Sequence, residues 1–182
     1  MNGIDLNCSK PYLDFGAGFY TTPSYTHAAL SAIRATRKYN VKYGTHEEPY
    51  IVKINYVPIR EVDLSIASYP RHSEKWGRFV LNNRLTPEML NAYSIIEHNQ
   101  DAKFDVCCGE IADGSIANIA YKVNNKVIKP EDVDYKDFLK DSGQVYPQQY
   151  SFHTLKAISC IEVISCDIIE NKQKYLNMIG GR

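Results

Sequence analysis

No apolar run in this sequence approaches the ~18 residues needed to cross a membrane as a helix. Met1–Asp5 has neither the basic start nor the apolar centre of a secretory signal, so the expected location is the cytoplasm. Net charge is also missing. Lys and Arg number 21 and Asp and Glu number 21, so no long-range field favours nucleic acid or an anionic membrane, and only a local basic patch is left open. The five cysteines, Cys8, Cys107, Cys108, Cys160 and Cys166, contain no Cys-x2-Cys pair, so no metal site is expected. Their number is odd, two are adjacent and three lie in apolar strand-like runs, so they read as reduced and mostly buried. There is no glycine-rich phosphate loop and no regular βαβ alternation. What remains is a chain of 182 residues, 44% apolar, which suits one compact α+β domain.

Thr22 followed by Pro23 reads as an N-cap and a first-turn proline, opening a helix to about Tyr39 with Arg34, Arg37 and Lys38 in its last turns. His27, near its start, is a ligand contact or a packed histidine. Lys42 to Pro49 reads as a polar surface turn. Tyr50–Val57 alternates as a strand, and Val62–Ile66 reads as a second short one. Trp76, Phe79 and Val80 recur at helical spacing within Ser73–Asn83, which predicts an amphipathic helix on a core. Thr86-Pro87-Glu88 opens another through Ile96. Phe104–Cys108 reads as a short buried strand whose end sets Glu110 and Asp113 at the lip of a sheet, although Asp113-Gly114 is equally a turn signal. Ala117–Val123 and Pro130–Leu139 read as helical, the former with a hairpin as its alternative. In Gln148–His153, Tyr150 and Phe152 share the face expected in the core, while Gln149, Ser151 and His153 share the face expected in a cleft. Ser159–Ile169 is a long β-branched strand, and Glu170–Arg182 a frayed polar tail. The expected boundaries are therefore a single domain over 1–169 and a tail over 170–182.

The segment with most chemical content is Asp14-Phe15-Gly16-Ala17-Gly18-Phe19-Tyr20-Thr21-Thr22. Gly16 and Gly18 allow a ligand close to the backbone, and the next two aromatics point to opposite faces of an extended segment. This run, with the small-residue helix HAALSAIRA after it, resembles the second motif of ADP-ribosyltransferases of the diphtheria-toxin and poly(ADP-ribose) polymerase type. YLDFGAGFYTT, WGRFVLNNR, FDVCCGEIADGS and QQYSFHT, in that order over residues 12–154, further resemble an uncharacterised bacterial family of the same clan. The resemblance implies two roughly perpendicular antiparallel sheets flanked by helices, with NAD bound as substrate in the cleft between them. It implies that Tyr20 stacks on nicotinamide, that Gly16 and Gly18 shape the pocket, and that Ser151 and Asp113 contribute to binding NAD. Gln149 falls where those enzymes carry their catalytic glutamate. Gln keeps a hydrogen-bond acceptor for a ribose hydroxyl but brings no negative charge to a developing cation, an effect commonly worth about 3 kcal/mol. The first motif of the pattern, a strand with His or Arg, has no counterpart in Met1–Leu13. The implied activity is thus mono-ADP-ribosyl transfer or NAD hydrolysis on an unknown macromolecular or small-molecule target, with a carboxylate from Asp113 or Glu110. The alternative is an inactive interaction or regulatory module that keeps the fold. A hydrolase using Cys107 or Cys108 with His153 needs a nucleophile–base geometry that only the fold can supply.

Overall fold

A strand covered on both faces needs apolar neighbours twice over, and Val106–Glu110 has them. Val106 packs with Phe152, Ile158 and Ile161, whereas Cys107, pointing the other way, joins Phe15, Trp76 and Phe79. The computed structural model describes residues 3–58, 63–69, 73–112, 114–135 and 147–180. Its strands are β1 (Phe19–Thr21), β2 (Tyr50–Tyr56), β3 (Ile66–Tyr69), β4 (Val106–Glu110), β5 (Gln148–Phe152) and β6 (Ile161–Ile168). Its helices are α1 (Tyr25–Tyr43), α2 (Glu74–Arg84), α3 (Pro87–Ala92), α4 (Gly114–Asn124), α5 (Leu155–Ile158) and α6 (Lys172–Gly180), with 3-10 turns at Leu6–Cys8 and Pro130–Asp132.

One sheet runs β1-β5-β4-β3 and the other is the pair β2-β6. The chain is therefore α+β, two sheets flanked by helices. The larger sheet is not wholly antiparallel: β3 lies parallel to β4, joined through α2 and α3, while the β4–β5, β1–β5 and β2–β6 pairs are antiparallel. Helices α2, α3 and α4 cover one face of this sheet through Trp76, Phe79, Val80, Leu81, Met89 and Ile116. Each such side chain, fully buried, is worth about 1.5–3 kcal/mol of transfer free energy. The opposite face meets the smaller sheet through Phe19, Phe152, Ile54, Tyr56 and Ile161. A third cluster joins α1 to α6 through Ala29, Ile33, Ile169 and Tyr175.

Several boundaries differ from the sequence expectation for local reasons. Thr22 does not cap α1, because its hydroxyl donates to the Gln148 carbonyl at 2.7 Å and accepts from the Ser24 N–H; Ser24 is the N-cap, accepting from the His27 N–H at 3.3 Å. The strand expected to end at Ile66 begins there, since Ser65 is tied through both its N–H and its carbonyl to Asp105. Helix α3 stops at Ala92, and Ser94, at φ 51°, turns the chain away before Ile96. Residues 170–182 are not a frayed tail over their length: α6 buries Tyr175 against α1. Of the helix expected over Pro130–Leu139 only the turn Pro130–Asp132 is seen, and 136–146 lie outside the described residues. All five cysteines are free; Cys107 and Cys160 are buried, but Cys8 and Cys166 are exposed.

Candidate functional site

The antiparallel register sets Tyr20 opposite Ser151 and Gly109 opposite Gln149, so the glycine-rich run and the last strand of the larger sheet converge at one end of it. Asp14 is the hub there, with only 8% of its surface exposed. One carboxylate oxygen accepts from the Arg84 guanidinium, through Nε at 3.0 Å and through Nη2. The other accepts from the Ala112 N–H at 3.1 Å and from the Gln149 side-chain amide at 2.7 Å. That amide also donates to the Glu110 carbonyl at 3.3 Å. A carboxylate and a carbonyl can only accept, so the NH2 of Gln149 faces them and its Oε1 is the atom left over. Among the described residues nothing donates to it.

Tyr20 has two attachments of its own. Its hydroxyl accepts from the Phe15 N–H at 2.9 Å and donates to the Gly16 carbonyl at 2.7 Å, so the ring is fixed over the glycine loop. Burial pushes its phenol far above the ordinary value and keeps it neutral. The ring lies nearly parallel to Phe15, 11° between planes, with the edge of His153 beside it. The two glycines admit protein, not open space. A Cβ on Gly16, whose φ is +89°, would stand 2.6 Å from the Asn99 carbonyl oxygen, and one on Gly18 would stand 2.7 Å from His153 Nδ1.

The polar face of β5 is buried instead of open, with Gln149, Ser151 and His153 each 6% exposed or less, and of the two residues expected in the core Phe152 is buried but Tyr150 is 38% exposed. His153 Nδ1 lies 2.7 Å from the Ala17 carbonyl, which makes Nδ1–H the donor and leaves Nε2 to accept from the Ser151 hydroxyl at 2.8 Å. Burial lowers the His153 pKa, against an opposing pull from the Ala17 carbonyl, so the imidazole is neutral at pH 7. Ser151 is fully enclosed, its hydroxyl held between His153 and the Cys107 carbonyl of β4, so it reaches the glycine loop only through His153. Both ring nitrogens are thereby engaged away from Cys107. The Cys107 thiol, pushed up to about 12 first by burial and then by Cys108, is a poor thiolate, and among the described residues no hydrogen bond joins His153 to Cys107 or Cys108.

Two clefts meet at this point. One, of about 450 Å³, is bounded by the N-terminal segment at Asp5, Ser9 and Lys10 and by Asp14, Gly18, Tyr20 and Gln149. The other, of about 840 Å³, runs between β1, the first half of α1 and β2, past Thr22, His27, Lys53 and Ile111. Phe19, Tyr20 and Gln149 line both. Burial, and then the nearby charge of Arg34, hold His27 below its ordinary pKa, so it too enters the cleft uncharged at neutral pH. The structure thus brings Gly16, Gly18, Tyr20, Gln149 and Ser151 together, while Asp113 lies outside the described residues. Asp14 and Arg84 were missed by sequence reasoning. They are 70 positions apart, and only a carboxylate heading the glycine run and an arginine closing WGRFVLNNR hinted at them. Among the described residues no group of three or more His, Cys, Asp or Glu stands together as a metal site, and no helix is long and apolar enough to cross a membrane.

Residues 1–163 match the model of a family described as a protein of unknown function, DUF3990. No curated protein and no solved structure matches the chain.

Proposed function

We propose that this chain, which belongs to the DUF3990 family, binds NAD in the cleft lined by Tyr20 and Gln149 and carries the fold of an ADP-ribosyltransferase. The observation that supports the reading is the meeting of those two side chains, 129 positions apart, in one cleft of about 840 Å³, a volume usual for a small-molecule or cofactor site. Tyr20 offers a ring already immobilised by two hydrogen bonds, so stacking on nicotinamide costs no further ordering. Gln149 offers Oε1 to a ribose hydroxyl. Gly16 and Gly18 act by letting the loop close on Asn99 and His153, which fixes the pocket wall. Ser151 holds that wall from beneath.

Transfer breaks the bond between nicotinamide and ribose, nicotinamide leaves with the bonding pair, and the ribose carbon becomes cationic. Asp14 is the nearest carboxylate to Gln149, but Arg84 already balances its charge. It stabilises that cation less than a free glutamate does. Slow single transfer or hydrolysis follows, not chain elongation.

The same ion pair favours a second reading, a binding module without turnover. Calorimetric titration of NAD into the whole chain tests the pocket. Binding is expected, weakened about 5- to 150-fold in Tyr20→Ala through lost stacking, by analogy with bases on aromatics. Absence of binding, or a Tyr20→Ala protein of unchanged affinity and intact circular dichroism, overturns the assignment. Nicotinamide release measured on the same samples separates the two readings.

A further inference from the structure

Helix α1 contains Arg34, Arg37, Lys38 and Lys42 and no Asp or Glu; α6, packed on its inner face, adds Lys174, while its Lys172 is paired with Glu48 at 2.5 Å. In a chain of zero net charge the second half of α1 is a local basic patch, with Glu47, Glu48 and Glu170 just beyond the ends of the two helices. Arg34, Arg37, Lys38 and Lys42 fall on one stripe of the helix, at spacings of three and four residues, and with Ile33 and Val41 they line a shallow groove of about 410 Å³. Among the described residues none of the four has an ion-pair partner; Lys42 lies over the Tyr43 ring at 4.8 Å. The helix dipole accounts for Lys42 in the last turn, but its influence fades within that turn and does not reach Arg34 or Arg37. Nor does the cleft at Tyr20 use this stripe, since it ends at Ser31 on the same helix.

We infer that the second half of α1 is a docking surface for single-stranded nucleic acid. Arg34, Lys38 and Lys42 succeed one another at about 6 Å along the helix, a spacing a flexible phosphate backbone can follow. Tyr39 and Tyr43 follow Lys38 and Lys42 about 100° round the helix, 51% and 56% exposed, one turn apart with ring centroids at 4.6 Å, and Lys42 bridges the two rows by lying over the Tyr43 ring. Exposed aromatics next to a cationic track are the arrangement that holds single strands, phosphates on the cations and bases on the rings. An acidic peptide or a lipid headgroup has no flat face for those rings. A duplex keeps its bases stacked away from them. The inference is independent of NAD binding.

Fluorescence anisotropy with labelled 12-nucleotide thymidine and uridine oligomers tests it on the full chain. Both bind at low salt, and log affinity falls against log salt with a slope of about −2 to −3, as four phosphate contacts on a single strand dictate. Arg34→Glu/Arg37→Glu/Lys38→Glu costs tenfold or more. Because that variant reverses three charges, the milder Arg34→Gln/Lys38→Gln is measured beside it, with circular dichroism on both, and is expected to lower the salt slope by about one or more. Tyr39→Ala/Tyr43→Ala weakens binding and leaves the slope unchanged, and a duplex of the same length binds less well. No binding by the full chain at low salt overturns the inference. So does capture by phosphatidylserine vesicles or polyglutamate as tight as by the oligomers, with the tyrosine variant behaving as the parent.

Discussion

Gln149 shows how one residue can be read correctly in place and incompletely in cause. Its strand and its polar neighbours were legible from the alternation in QQYSFH, but its chemistry is set by Asp14, 135 positions away. A glutamate at 149 would place a second carboxylate where the amide now donates at 2.7 Å, and two carboxylates at that distance do not both ionise. Gln149→Glu is therefore expected to lose about 1–3 kcal/mol at pH 7.5, the cost of a buried polar group deprived of its partner. Its folded carboxyl pair takes up a proton that the unfolded chain does not, so the loss shrinks as pH falls. Urea midpoints at pH 7.5 and 5.5 would show it, and equal midpoints for variant and parent at pH 7.5 would remove the contact from the account. His153 gives the opposite sign. Its folded pKa is lowered by burial, so below an ordinary histidine value of about 6.5 the unfolded chain binds the proton first and stability falls with pH. His153→Gln should flatten the dependence between pH 7.5 and 5.5, and an unchanged slope would place the titration elsewhere.

At the scale of elements, periodicity located α1, α2 and α4 because each has one face that must be covered, and alternation located β2 and β5, although in β5 it is the polar face that is covered. It did less well where backbone and side chains compete for hydrogen bonds. Thr22 reads as the cap of α1 in the sequence, but Ser24 takes that place because the Gln148 carbonyl engages Thr22 across the sheet. Ser24→Ala should accordingly cost about 1 kcal/mol, the usual loss for an N-cap, with Thr22→Ala acting instead through the β1–β5 edge. Thermal midpoints of the two variants, read with a β1–β5 reporter such as hydrogen exchange at Tyr20, separate the effects. A Ser24→Ala protein indistinguishable from the parent would mean that α1 is held by packing alone. The glycine run was legible as a place of close approach. That Asn99 and His153 are what approach was not, since neither lies near it in sequence.

For the whole molecule, composition pointed to an α+β chain, and the structure has two sheets flanked by helices; the family match over 1–163 holds the whole larger sheet but stops inside β6. The chain's end was misjudged because the first turn of α6 is polar: among the described side chains of Lys172–Gly180 only Tyr175 is buried, with Leu176 partly buried beside it. Tyr175 nevertheless closes the cluster of Ala29, Ile33 and Ile169, and the helix it covers is the one whose first half lines the larger cleft. A chain shortened to 1–169 would expose Ala29 and Ile33. Removing a large buried aromatic costs about 3–5 kcal/mol, and loss of α6 should come to at least the lower figure. The denaturant midpoint of 1–169 should drop with little change in slope, and Tyr175→Ala in the full chain should reproduce most of the drop. If 1–169 unfolds at the parent's midpoint, the domain ends before α6 and the third cluster contributes nothing to its stability. If it falls as expected, the unit that supports the cleft runs from the N-terminal segment through α6, and any NAD titration belongs on the whole chain.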